Sequence, residues 1–106
     1  MNTVPNEIVE YYKANEPLVC ELDESPYICE FWPFIELMQF NSDYEVQKYA
    51  PGYFAFGTSG GGEMFTYSPS GKIVCLAFIG MSPDEELFVA DTWRDFENKL
   101  RAVEDS

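Results

Sequence analysis

Nineteen carboxylates and no histidine define the chemistry open to this chain. Two carboxylates whose surroundings push their pKa values apart can act as general acid and general base, so a small carboxylate-dependent enzyme is one reading. A pair of that kind is made by the fold and not by sequence spacing, and acidic side chains are also what a soluble surface carries. The lack of histidine removes the usual general base, the commonest metal ligand and the side chain that titrates near neutrality unaided. Histidine triads and histidine-bearing zinc sites go with it. Cys20, Cys29 and Cys75 are an odd set without a Cys-x-x-Cys pair, too dispersed for a convincing zinc site. They suit reduced thiols in a reducing compartment better than a disulfide framework, and Cys75 lies in an apolar run, where a thiol behaves as a small hydrophobe. No catalytic residue, cofactor or metal ligand is therefore assigned.

The run Gly60-Gly61-Gly62 has the composition of an anion cradle, in which successive backbone N–H groups converge on a phosphate. Glu63 follows it where a phosphate site wants a cation, and the field around it is negative. The better reading is a tight turn whose glycines let a neighbouring segment approach, with Glu63 offered to a partner.

Charge says more about function. The net charge is −13, and residues 1–45 hold ten acidic residues against Lys13 alone, while residues 46–106 hold nine against five. Such a surface repels nucleic acid and anionic membranes and attracts basic proteins by electrostatic steering. Asp23, Glu24, Glu36, Asp43, Glu45 and Glu63 are the candidate charged contacts, with Tyr27 and Tyr53 as aromatic anchors of the kind interfaces favour. The plain alternative is a solvated acidic surface with no partner. The start, Met1-Asn2-Thr3-Val4-Pro5, is neither basic nor apolar enough for a secretory signal, and no run approaches the roughly 20 apolar residues that span a bilayer. The expected location is the cytoplasm.

At 106 residues, 46% hydrophobic and 17% aromatic, the chain can bury the core of one domain over residues 1–106. Its centre predicts a three-stranded antiparallel meander of Tyr53 to Phe56, Glu63 to Tyr67 and Lys72 to Ile79. Ser68-Pro69-Ser70-Gly71 carries the proline and glycine of a hairpin turn. Apolar residues at 5, 8, 9 and 12 predict a first helix that stops near Asn15 to Pro17, with Glu10 able to meet Lys13. Residues 18–30 read as two short extended segments around the acidic turn Asp23-Glu24-Ser25-Pro26. Phe31 to Phe40 is almost wholly apolar and predicts a helix buried nearly all round, with Asn41 as a cap beyond its end. Asp43 to Ala50 is a linker or one-turn segment. Leu87 to Ala90 is a fourth strand, and Thr92 caps a last helix whose apolar face is Trp93, Phe96, Leu100 and Val103, ahead of a frayed Glu104-Asp105-Ser106. Trp32 and Trp93 belong to the core. The fold class is α+β, a central meander with edge strands packed by N-terminal, middle and C-terminal helices.

Phe56-Gly57, Gly60-Gly61-Gly62-Glu63, Phe65-x-Tyr67, Ile73-Val74 and Ile79-Gly80-Met81 together resemble the central signature of the SMI1/KNR4 family of the SUKH superfamily. Val4-Pro5 with Tyr11-Tyr12, Trp32-Pro33 through Asn41, and Thr92-Trp93 with Phe96 and Leu100 resemble its early, middle and last helices, so the likeness covers most of the chain. Members commonly carry another helix before the Val4-Pro5 equivalent; this chain begins almost there and resembles a short member. The resemblance implies a non-enzymatic binding protein, either an immunity protein that neutralises a cognate toxin, often a nuclease, or a regulatory or scaffold module as in some eukaryotic members. A basic toxin suits an acidic body, because nucleases hold phosphates with cationic surfaces. The expected state is a monomer or weak homodimer.

Overall fold

The turn chemistry of the chain's centre fixes how its apolar runs pair. The computed structural model describes residues 4–15 and 19–102. Strands β3 (Phe54–Thr58), β4 (Glu63–Tyr67) and β5 (Ile73–Ala77) form the expected meander. The Ser68 to Gly71 turn closes with Gly71 N–H donating to the Ser68 carbonyl at 2.9 Å, and Gly71 takes φ 88°, where only glycine is unstrained. Strands β1 (Val19–Glu21) and β2 (Ile28–Phe31) are the two extended segments of residues 18–30, and β6 (Leu87–Ala90) is the fourth strand where expected. A two-residue β7 (Arg101–Ala102) completes one antiparallel sheet in the order β6-β5-β4-β3-β2-β1-β7.

The register sorts the core into two layers. Phe31 lies opposite Gly57, Gly57 opposite Phe65 and Phe65 opposite Cys75, so these residues share one face. Helices α1 (Asn6–Ala14) and α4 (Trp93–Lys99) cover that face. Tyr11 stacks on Phe31 with ring centroids 5.0 Å apart, Trp93 meets Phe56 edge-on at 5.1 Å, and Phe96 packs on Phe65 at 5.8 Å. Phe56, Phe65 and Phe96 are fully buried, each worth about 1.5–3 kcal/mol relative to exposure. Thr92 starts α4 by accepting from the Asp95 N–H at 3.0 Å, a side-chain cap for an otherwise unpaired donor. Because α4 runs between β6 and β7, it joins opposite edges of the sheet.

Met64, Thr66, Val74 and Leu76 point to the other face, where α2 (Leu37–Asp43) and the one-turn α3 (Val46–Tyr49) pack. Trp32, Phe40, Tyr44 and Phe78 form an aromatic cluster there, with Trp32–Phe40 centroids 4.7 Å and Tyr44–Phe78 centroids 4.8 Å apart. Side-chain amides fasten this layer. Asn41 Nδ2 donates to the Ala55 and Leu37 carbonyls, each at 2.8 Å, and Asn41 Oδ1 accepts from the Ala55 N–H at 2.8 Å. Gln47 Nε2 donates to the Tyr53 carbonyl at 2.5 Å, and its Oε1 accepts from the Gly52 N–H at 2.9 Å. Strand β2 pairs with β3 at Gly57 and Thr58, so Asn41 serves a part of β3 that β2 does not reach and Gln47 serves the residues that lead into it.

Four expectations need correction. The middle helix does not fill 31–40: Phe31 belongs to β2, Pro33 precedes a 3-10 turn at Phe34–Glu36, and Phe34, Ile35 and Met38 are exposed rather than buried. Asn41 is not a terminal cap but a buried residue within α2. The last helix ends at Lys99, since Leu100 is extended with ψ 138° and Arg101 pairs with Glu21. The triple glycine admits no neighbour, because a Cβ at Gly60 or Gly62 would meet nothing within 4 Å; those residues are needed for φ of 80° and 97°. The close approach is at Gly57, where a Cβ would lie 2.6 Å from the Glu30 carbonyl oxygen. The predicted stop at Glu16 and Pro17, the start of the 18–30 segment at Leu18, and the placements of Met1 to Thr3, Val103 and Glu104-Asp105-Ser106 fall outside the described residues.

Cys20, Cys29 and Cys75 are free and buried. Burial pushes the Cys75 thiol from an ordinary 9.0 up to about 12, assisted by the Glu63 carboxylate, and raises Cys20 and Cys29 for the same first reason.

Three outcomes are expected. Asn41→Ala strands two buried main-chain groups of Ala55 and lowers unfolding free energy by about 2–4 kcal/mol, whereas Gln39→Ala, on the exposed side of α2, changes it by less than about 0.5 kcal/mol; urea unfolding of both variants measures the difference. Gly57→Ala forces a backbone shift at Glu30 and costs about 1–3 kcal/mol, read in the same assay. The Cys75 thiol, raised in the folded state, keeps its proton while that of the unfolded chain ionises, so its stabilisation is intact below pH 9 and declines as pH rises from about 9 toward 12, by about 1.4 kcal/mol per pH unit, and the raised Cys20 and Cys29 thiols act in the same direction. The urea midpoint should therefore hold steady up to pH about 8.5 and fall above it, with a shallower fall in Cys75→Val.

Candidate functional site

Every described carboxylate is exposed except that of Glu63, which is half-buried. Among the described residues no group of three His, Cys, Asp or Glu side chains is placed to hold a metal ion. Exposed carboxylates and apolar side chains gather on two surfaces.

One surface is the segment from Phe34 to Glu45. A helix starting at Leu37 puts Leu37, Phe40, Asn41 and Tyr44 at the i, i+3, i+4, i+7 positions of one face, and that face turns to the sheet. Phe34, Ile35 and Met38 are left outside, with Ile35 89% exposed. Glu36 ends the 3-10 turn, Asp43 ends α2 and accepts from Gln39 Nε2 at 2.7 Å, and Glu45 precedes α3 with φ 54° and an exposed ion pair to Lys48 at 3.5 Å. Three of the sequence-derived contacts thus share one segment with apolar side chains. Tyr44, 40% exposed, ties the segment to Phe78, and the next residue, Ile79, is 93% exposed.

A second surface is the β1–β2 hairpin tip, which gathers Asp23, Glu24 and Tyr27. Tyr27 is 59% exposed with φ 69°, its N–H donates to the Glu24 carbonyl at 2.8 Å, and the Ser25–Pro26 peptide is cis. Asp23 pairs with Arg101. The remaining two residues belong to neither surface. Tyr53 is buried and sits in the core rather than at an interface; its hydroxyl donates to Glu86 Oε1 at 2.7 Å, and burial with that bond pushes its pKa up to about 12. Glu63 opens β4 at the glycine turn, where its carbonyl accepts from the Ser59 N–H and the Thr58 hydroxyl.

Sequence reasoning missed the exposed apolar residues, Phe34, Ile35, Met38, Ile79, Leu87 and Phe88. The signal for the first three was present in Pro33, which cannot lie inside a helix and so delays its start, and in Glu36, Gln39 and Ser42, which mark the solvent side once the start is moved.

A family model described as SMI1 / KNR4 family (SUKH-1) matches residues 2–99. No curated protein matches the chain. The match runs from before α1 to the end of α4, taking in the meander, the glycine turn and the amide-clamped α2, and so nearly every element described above: the chain belongs to the SMI1/KNR4 family, SUKH-1.

Proposed function

We propose that this SUKH-1 protein is a non-enzymatic acidic binding protein, an immunity protein of the cytoplasm that neutralises a basic protein toxin by covering its cationic surface. The observation that carries the reading is the Phe34 to Glu45 segment, where Ile35, Met38 and Phe34 stand exposed on a layer held rigid from beneath by Asn41 and the Trp32–Phe40–Tyr44–Phe78 cluster. Glu36, Asp43 and Glu45 flank them. Apolar anchors ringed by charge are the anatomy of a protein interface, and the carboxylates add steering toward a cationic partner. A toxin that must grip phosphates presents such a partner surface. Free, buried cysteines suit a reducing location, and among the described residues no helix is long and apolar enough to cross a membrane.

The test is co-expression with the product of the adjacent gene. The expected result is a 1:1 complex that protects the host and weakens as salt rises. Glu36→Lys with Asp43→Lys should cut affinity by about tenfold or more, chiefly through slower association, and Ile35→Asp, at a site 89% exposed, should cost about 1–3 kcal/mol of binding without unfolding the chain. A protein that neither binds its neighbour nor protects the host is a regulatory module instead, and this reading then fails.

A further inference from the structure

The sheet treats its two edges differently. At one end β7 covers β1. At the other, β6 pairs among the described residues with β5 alone. The direction of its main-chain groups follows from the ladder. Ser68 N–H donates to the Lys72 carbonyl, so alternation turns Lys72, Val74 and Leu76 toward β4, and Ile73 and Cys75 toward β6. Leu87, opposite Cys75, therefore spends its N–H and C=O on β5, and Phe88 points both of its groups outward. The next outward group, the Val89 carbonyl at the bulge, is taken by Lys99 Nζ at 2.6 Å. Leu87 and Phe88, on opposite faces of the strand, are 54% and 56% exposed.

Beside this edge lies a cleft of about 130 Å³ between β6 and the hairpin tip, lined by Leu22, Asp23, Glu24 and Ser25 on one side and Phe88, Val89 and Lys99 on the other. Its surroundings are anionic. Asp84, Glu85 and Glu86 precede β6, Asp91 follows it, and Glu24 stands across the cleft beside Asp23, whose charge is met by Arg101, while Lys99 is tied to Val89 and lies 5.9 Å from the Phe88 ring. An open row of strand groups selects an extended backbone. The carboxylates select a cationic one, and they oppose a second copy of this chain, which would bring the same charges to the same edge.

We propose that β6 is a strand-pairing site for an extended, cationic segment of a partner protein. The segment's main chain bonds the outward N–H and C=O of Phe88, its apolar side chains rest on Leu87 and Phe88, and its lysines or arginines face Glu24 and Asp84. This surface is separate from the Phe34 to Glu45 segment, so either can fail without the other.

The probe is a synthetic end-blocked peptide of alternating lysine and valine, titrated into the isotope-labelled full chain and followed by amide NMR. Glutamate–valine and helix-forming lysine–alanine peptides serve as controls. The expected result is chemical-shift change centred on Leu87 to Val89 and Asp23 to Ser25, with about tenfold slower exchange of the Phe88 amide proton and weakening as salt rises. Phe88→Pro removes the outward donor together with the ring, at a position that spends no N–H on β5, and should abolish binding while circular dichroism stays native; Phe88→Ala, which removes the ring but keeps the donor, should weaken it only severalfold, so the difference between the two reads the main-chain bond and a misfolded proline variant leaves the question answerable. The proposal is overturned if the lysine–valine peptide does not bind, if its shifts map to Phe34 to Glu45, if either control binds equally well, or if the free chain dimerises through β6.

Discussion

Strand β3 has a stretch that no neighbouring strand completes, and two side-chain amides complete it. Where β2 stops at Phe31, the chain turns away at Trp32-Pro33, and the main-chain groups of Tyr53 and Ala55 would face the interior unpaired. A buried, unpartnered amide or carbonyl costs about 1–3 kcal/mol, which is a large part of the stability of a domain this size. Asn41 answers Ala55 with one donor and one acceptor, both at 2.8 Å, in the manner of a missing strand residue. Gln47 does the same for Tyr53 and Gly52. Both amides come from the α2–α3 layer, so the hydrogen bonds that close the sheet also fix where that layer sits and which of its sides faces out.

The exposed apolar side chains follow from that fixed orientation. Asn41 must point inward to reach Ala55, Leu37 one turn earlier points inward with it, and the residues between them on the helix, Met38 and Gln39, are forced to solvent. Ile35, in the preceding 3-10 turn, has no layer above it. Their exposure is thus a consequence of the clamp rather than a packing failure, and an apolar surface held on a clamped element loses little conformational freedom when a partner covers it. The other end of the sheet shows the opposite treatment. Helix α4 delivers β7 to one edge and Lys99 to the other, where a single ammonium group blocks the Val89 carbonyl but leaves Phe88 open.

Local chemistry in the sequence was enough to place the meander, the Ser68 to Gly71 turn, β6 and the Thr92 cap, because each depends on residues within a few positions of one another. The amide clamp was not legible. Asn41 and Ala55 are 14 residues apart, and nothing in the composition of either says that one will substitute for a strand beside the other; an asparagine after an apolar run reads first as a helix end. The same blindness hid Gly57, whose need for a bare α-carbon arises from Glu30 on a strand 27 positions earlier. For the candidate site, charge was visible and its arrangement was not. The acidic residues of 36–45 and the hairpin tip were readable as exposed, but Tyr53 and Tyr27 look alike in sequence, and only tertiary packing buries the first and leaves the second 59% exposed.

Charge and apolar exposure also constrain each other. A surface carrying Ile35 and Ile79 at 89% and 93% exposure would on a neutral protein invite self-association. With a net charge of −13, two copies that approach through these patches repel, and the repulsion acts before the apolar groups meet because it reaches about 8–10 Å at ordinary salt. A cationic partner meets attraction over the same range and then the same apolar anchors. In the proposed complex the carboxylates around the apolar face would act chiefly as a filter on who arrives, while the buried area would decide how long a partner stays. Filter and anchor would then occupy the same dozen residues, positioned by one asparagine beneath them.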